Sequence, residues 1–270
     1  MDDKKILLLN RYQLSKTIGK GTYSKVKEAY SAAMQKKVAI KIIAKTEAPT
    51  DFIQNFLPRE LHIVRSLRHK NIIEVYKIIE SVAQNKVYMI MELAEGGDIL
   101  DYIGQHGAFP EARARTLFHQ LAEAVDYLHD KGVTHRDIKC ENVLLHHGTL
   151  KLSDFGFAKT LSSSKNELSN TFCGSAPYTA PEVLQAKPYD CWKSDIWSMG
   201  VVLYVMISAR LPFSNTITKI LEQQQKGITL PAHIHISEHC KDLVKKLLQP
   251  NIDLRPSIKE VTAHPWLNIH

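Results

Sequence analysis

The periodicity of apolar residues changes character once along this chain, and the change restricts the fold to a strand-rich part followed by a helical one. Before Glu95-Gly96-Gly97, runs rich in β-branched, aromatic or alternating apolar residues read as strands over Tyr12–Ile18, Lys25–Tyr30, Val38–Ile43 and Val87–Met91. One helix interrupts them between Pro58 and Arg68, where Leu61, Val64 and Leu67 recur at helical spacing and Ile63 widens the apolar face. After the glycine pair, Leu117, Leu121, Ala124, Val125 and Leu128 mark a long helical period, with Pro110 suited to its start and Gly132 to its end. A boundary near Glu92–Gly97 separates two lobes, and ligand clefts often form where such lobes meet, so the chemistry is expected there.

With 270 residues, 44% of them apolar and 23% charged, the chain can bury a core without a metal or disulfide, and it carries no low-complexity tract or repeat. Cys140, Cys173, Cys191 and Cys240 are far apart with no C-x-x-C pair, which argues against a zinc site and favours a reducing compartment. The apolar stretch Val201–Ile207 is far short of a membrane span, and the start Met1-Asp-Asp-Lys-Lys, followed only by the short Ile6–Leu9 run, lacks a signal-peptide core. A cytoplasmic protein is expected, with the nucleus as a second compartment. The 35 Lys+Arg against 28 Asp+Glu leave a net charge of +7, but the basic residues are scattered and no aromatic-interleaved stripe accompanies them. Neither a nucleic-acid nor a membrane partner is expected.

Gly19-Lys20-Gly21-Thr22-Tyr23-Ser24-Lys25-Val26 joins the first two strands, and glycines let backbone amides approach phosphates with no Cβ in the way. Alone, the same residues read equally well as a tight hairpin needing positive φ. Val38-Ala39-Ile40-Lys41 places a lysine in an apolar strand, where an ammonium needs an anion; Glu60 on the following helix can supply one and nucleotide phosphates another.

Thr134-His135-Arg136-Asp137-Ile138-Lys139-Cys140-Glu141-Asn142 precedes the apolar Val143-Leu144-Leu145 and is the most specific stretch of the chain. Phosphoryl transfer asks for a carboxylate to orient the attacking hydroxyl, a cation near the migrating phosphate and an oxygen ligand for magnesium, roles open to Asp137, Lys139 and Asn142. Asp154-Phe155-Gly156 adds a second carboxylate. Magnesium prefers oxygen donors and keeps several waters, so Asn142, Asp154 and nucleotide phosphates make a sensible shell.

In this order and spacing the segments, with Ala180-Pro181-Glu182, Asp195 and Arg255 after them, resemble the eukaryotic protein kinases over nearly the whole chain. The resemblance implies an α+β bilobal fold: a small antiparallel β-sheet lobe with one main helix at 12–91, a hinge at 92–97 and a larger, mostly α-helical lobe at 98–267. Residues 1–11 form a short N-terminal extension. It also implies ATP and Mg2+ as cofactors, with Mn2+ able to substitute. The ATP site would comprise Ile18, Gly19, Lys20, Gly21, Thr22, Tyr23, Ser24, Val26, Ala39, Lys41, Glu60, Met91, Glu92, Ala94 and Leu144. Met91 is then the gatekeeper behind the adenine pocket, and the Glu92 and Ala94 backbone bonds the adenine edge. Lys139 and Ser175 look like the serine/threonine class. Glu182 and Arg255 resemble a structural ion pair, and Asp195 resembles the aspartate that bonds the catalytic-loop backbone. Three stretches, Ala48–Glu60, Leu168–Ser175 and Trp197–Met206, resemble the testis-specific serine/threonine kinases, their short third member among them, which would place the activity in sperm development. A catalytically inactive kinase-fold scaffold is the alternative, but none of Lys41, Asp137, Asn142 or Asp154 is missing.

The same resemblance makes Thr171 a regulatory phosphosite, modified by an upstream kinase or by the chain itself, with Arg136 and Lys159 to pair its phosphate. Asp98 and Glu141 would face arginines upstream of the acceptor in protein substrates, although Asp98 also reads as a helix cap. Ser175 would touch the substrate, and Phe157 resembles kinases that prefer serine. A monomer is expected; the chain stops just after His264-Pro265-Trp266, so no calmodulin-binding or autoinhibitory tail is expected and control falls to this loop or to partners. Two departures stand out: Ser24 replaces a third loop glycine, and Pro58 precedes Glu60 by two residues. Proline cannot continue a helix hydrogen-bond ladder, so Pro58 is expected to start or kink the helix, with Glu60 in its first turn or just after a distortion.

Overall fold

The computed structural model describes residues 2–161, 168, 169, 171, 173–214, 216–230 and 235–268; Asn170 and Phe172 of the Leu168–Ser175 stretch lie outside the described residues. Two units account for the chain, one of Met1–His69 with Ile73–Glu95, the other of Lys70–Ile72 with Gly96–His270.

The first unit begins with a helix inside the expected N-terminal extension, α1 (Asp3–Leu9), with Asp2 accepting from the Lys4 amide at its N-cap. An antiparallel sheet follows, built from β1 (Tyr12–Lys20), β2 (Ser24–Ser31), β3 (Lys36–Ala44), β4 (Val75–Ser81) and β5 (Lys86–Met91) in the order β1-β2-β3-β5-β4. β4 was absent from the sequence expectation: in Val-Tyr-Lys-Ile-Ile-Glu-Ser two isoleucines are adjacent and only Val75 is buried, so no clean alternation marks it.

Both faces of the sheet are covered at its centre. Ala29, Val38, Ile40, Ile42, Tyr88 and Ile90 pack with Leu7 of α1 and with Tyr12 into one buried cluster. The intervening Ala39, Lys41, Ile43, Val87 and Met89 point to the opposite face, because side chains alternate along a strand. This is why β3 and β5 read as nearly unbroken apolar runs.

Pro58 acts as expected. A π-helical turn over Phe52–Phe56 precedes α2 (Leu57–Ser66), and the Leu57 amide donates to the Phe52 carbonyl five residues back. Pro58, with no amide hydrogen, occupies the first turn of α2, and Glu60 lies in that same turn.

In the second unit, α3 (Ile99–His106) and α4 (Glu111–Asp130) are followed by β6 (Val133–Thr134), the hairpin β7 (Val143–His146) with β8 (Thr149–Leu152), and β9 (Lys159–Thr160), which pairs with β6. Lys70–Ile72 joins this unit because Asn71 accepts from the Leu152 amide at 2.8 Å and donates from Nδ2 to the Leu150 carbonyl at 2.9 Å. The chain continues through α5 (Pro181–Leu184), α6 (Cys191–Ser208), α7 (Ile217–Lys226), α8 (Glu238–Leu247) and α9 (Ile258–Thr262). α6 is buried along nearly its whole length, Trp197 included, so Val201–Ile207 is core helix. Among the described residues no helix is long and apolar enough to cross a membrane.

Candidate active site

The second unit assembles its polar loop on α6. Asp195 accepts from the His135 and Arg136 amides at 2.9 and 2.8 Å and lies 3.1 Å from His129 Nε2. These bonds turn the loop after β6, where Arg136 sits at φ 65°. His135 Nε2 bonds the Ser153 carbonyl while its Nδ1 accepts from the Asp137 amide, so these partners put the ring proton on Nε2.

Asp137, almost fully buried, is held by three donors. Lys139 Nζ lies 2.8 Å from Oδ2, Asn142 Nδ2 donates to Oδ2 at 3.0 Å, and Ser175 Oγ donates to Oδ1 at 3.3 Å. Lys139 also donates to Ser175 Oγ at 2.9 Å, which closes the network. Gly174 makes the approach of Ser175 possible: at φ +105° a Cβ would be strained, and it would lie 3.1 Å from the Arg136 carbonyl.

Asn142 uses its amide nitrogen twice on Asp137, through the carboxylate and through the carbonyl at 2.8 Å, so its side-chain oxygen is the atom suited to a cation. The Asn142 carbonyl accepts from Ser153 N and Oγ, both at 2.9 Å, which sets Asp154 beside this loop. Asp154 is exposed, at φ 59°, and accepts from the Gly156 amide. No cluster of three or more His, Cys, Asp or Glu suited to a metal occurs among the described residues. One aspartate and one asparagine oxygen fit a magnesium ion that draws its remaining ligands from water and phosphate.

Around Thr171, Arg136 Nε donates to the Phe157 carbonyl at 2.7 Å and Nη1 approaches Ser169 Oγ at 3.5 Å, while Nη2 is buried without a hydrogen-bond partner among the described residues. Ser169 Oγ also accepts from the Thr171 amide at 3.3 Å, and Tyr189 OH donates to the Thr171 carbonyl at 2.9 Å. The Thr171 residue itself is exposed. Lys159 sits on β9 opposite Thr134. Burial pushes the Cys191 thiol up to about 11 against the opposing pull of Arg136 and Lys159. Ser169 and Tyr189 escaped the sequence reading because a backbone bridge between distant residues joins them.

Asp98 is a helix cap in the structure, accepting from the Asp101 amide at 2.8 Å. Burial raises its carboxyl above the ordinary range, and the charges of Asp101 and Glu141 add to the rise against backbone hydrogen bonds. Glu141 is exposed, and Leu144 pairs with Lys151. Arg255 grips Glu182 with two nitrogens, at 2.7 and 3.1 Å, and spends further donors on the Lys193 and Gln249 carbonyls.

In the first unit, Lys41 Nζ lies 2.8 Å from Glu60 Oε1, both side chains largely buried. Neither Gly19 nor Gly21 has a positive φ, so the hairpin does not need them for backbone freedom. A Cβ on Gly21 would instead lie 2.8 Å from Ser24 Oγ, and the Gly21 amide donates to the Ser24 carbonyl. Lys20, Thr22 and Tyr23 complete the turn, with the Tyr23 ring 5.6 Å from Phe52. Val26 pairs with Lys41 and Ala39 with Met91, while Ile18 is exposed on β1. After β5 the Glu92 amide donates to the Glu74 carbonyl at 2.9 Å, with Ala94 two residues on.

The protein kinase domain family matches residues 12–267. Over 262 residues the chain is 62% identical to testis-specific serine/threonine-protein kinase 3 of Mus musculus, covering 97% of each. The human counterpart is 61% identical over the same length. Testis-specific serine/threonine-protein kinase 1 of Mus musculus is 45% identical over 273 residues, or 99% of this chain and 74% of that protein.

Proposed function

As a member of the protein kinase family, and within it of the testis-specific serine/threonine-protein kinases, this chain is a serine/threonine kinase, and we propose that it moves the γ-phosphate of magnesium-bound ATP to protein hydroxyls. The observation that carries this reading is the Asp137 carboxylate held by Lys139, Asn142 and Ser175. Phosphoryl transfer demands little covalent chemistry of the protein, so positioning and charge dominate. Magnesium-ATP, when bound, supplies the reactive phosphoryl group and neutralises its oxygens. Asp137 accepts the proton of the substrate hydroxyl, and Lys139 places a positive charge beside it. Asn142 and Asp154 offer oxygens to the cation, and Lys41, fixed by Glu60, presents its ammonium to phosphate. Asp137→Asn should cut transfer of labelled phosphate by about 100-fold or more; wild-type rates in that variant would overturn the assignment.

Thr171 is the proposed activation site. A phosphate there adds roughly −1.5 to −2 charge beside a guanidinium with a spare buried donor. Thr171→Ala should lose most activity in the same assay, and phosphosite mapping after incubation with Mg-ATP separates self-modification from an upstream kinase. Asp98 and Glu141, which repel one another, favour a substrate arginine two or three positions before the acceptor. The exposed Phe157 fits a preference for serine. A peptide array selecting acidic residues upstream would contradict this specificity. The names of the relatives support a role in testis and sperm development, and the widely separated cysteines support a cytoplasmic site with access to the nucleus, checked by imaging the tagged protein.

A further inference from the structure

The family match begins at residue 12, so the kinase reading assigns nothing to α1. Leu7 buries itself in the outer-face cluster of the sheet, and Asp3 reaches across three strands. Asp3 Oδ1 accepts from Lys86 Nζ at 2.9 Å and from Tyr88 OH at 2.8 Å, both on β5, and Oδ2 lies 3.5 Å from Lys25 Nζ on β2. Lys25, Ile42 and Tyr88 form one cross-strand row over β2, β3 and β5. The neighbouring row is Val26, Lys41 and Met89, whose side chains point to the other face. Lys25 also pairs with Lys20 across the glycine-rich turn.

We infer that Asp3 is a positioning residue for nucleotide use: from behind the sheet it fastens the row beside Lys41 and the base of the Gly19–Lys25 hairpin. The Asp3 side chain is 12% exposed, and its carboxylate takes two hydrogen bonds from β5 and one ion pair from β2, strands that are not neighbours, so it restrains their relative movement. The hairpin above it has few such restraints, with Gly21 and Thr22 exposed. Asp3 touches no nucleotide atom and acts only through Lys25, Lys86 and Tyr88.

The inference rests on the kinase reading for its consequence, so the test needs a readout independent of activity. Hydrogen exchange of the residue 19–25 amides is compared in the wild-type chain, Asp3→Asn, Asp3→Glu and the packing control Leu7→Ala, alongside steady-state kinetics. Asp3→Asn should speed exchange in the hairpin and raise KM for ATP by about two- to fivefold while kcat stays within about twofold, the range open to a partly exposed charge pair. Asp3→Glu, which keeps the charge, should recover most of the protection. Leu7→Ala should lower Tm yet leave those amides at the wild-type rate. Unchanged hairpin exchange in Asp3→Asn, or identical changes in Asp3→Asn and Leu7→Ala, would overturn the inference. A wild-type chain that transferred no phosphate would refute the kinase reading instead, and exchange would still decide the role of Asp3.

Discussion

Arg255 has almost no exposed surface and four polar partners, so its loss cannot be made good by water. Arg255→Met would leave the Glu182 carboxylate buried and unpaired, at about 3–5 kcal/mol, read as a large fall in Tm. Asp98 illustrates the reverse case. Its raised carboxyl means that ionisation works against folding above the folded value, and the strain is relieved as pH falls through it. Asp98→Asn keeps the cap and removes the strained charge, so Tm at neutral pH should hold or rise while KM for an arginine-containing peptide increases. Asp137, Lys139 and Asn142 were legible because they share one short segment of unusual polarity. Ser169 and Tyr189, which fix the backbone around Thr171, are ordinary residues until folding joins them, and no local pattern distinguishes them.

Among the elements, a break in the helix just before Glu60 was readable from a single proline, but its π-helical form was not. Pro58→Ala restores an amide hydrogen, and the Phe52–Phe56 turn should then move toward a regular α-helix, with protection at residue 58 in hydrogen exchange and stability altered by less than about 1 kcal/mol. The glycine-rich turn was half legible: its position was clear, but whether φ or space demanded glycine was not. Gly21 has no positive φ, and a Cβ there would meet only the rotatable Ser24 hydroxyl, so neither demand is strict. α1 and β4 escaped for different reasons. The Ile6–Leu9 run is too short to separate helix from strand by period, and β4 carries adjacent isoleucines on an edge strand. Leu7→Ala, at a fully buried site in the outer cluster, should cost about 2–5 kcal/mol in denaturant unfolding.

For the whole chain, the kinase assignment was open to sequence reading because its chemistry lies in linear motifs, whereas the three residues Lys70–Ile72 join the second unit through long-range hydrogen bonds of Asn71 that no window reveals. Acid tolerance should carry the mark of Asp3. Burial alone would raise its carboxyl, but the hydrogen bonds from Lys86 and Tyr88 and the charges of Lys86 and Lys25 outweigh burial and hold it below the ordinary 3.8. Its contribution is therefore full above 3.8 and is lost as pH falls through the lower folded value, so unfolding curves of wild type and Asp3→Asn should converge in strong acid. The helix that supplies Asp3 also has a bearing on how the enzyme is handled at the bench. A recombinant fragment trimmed to residues 12–267 would carry a bare greasy surface over β3 and β5, and such material is expected to precipitate during purification.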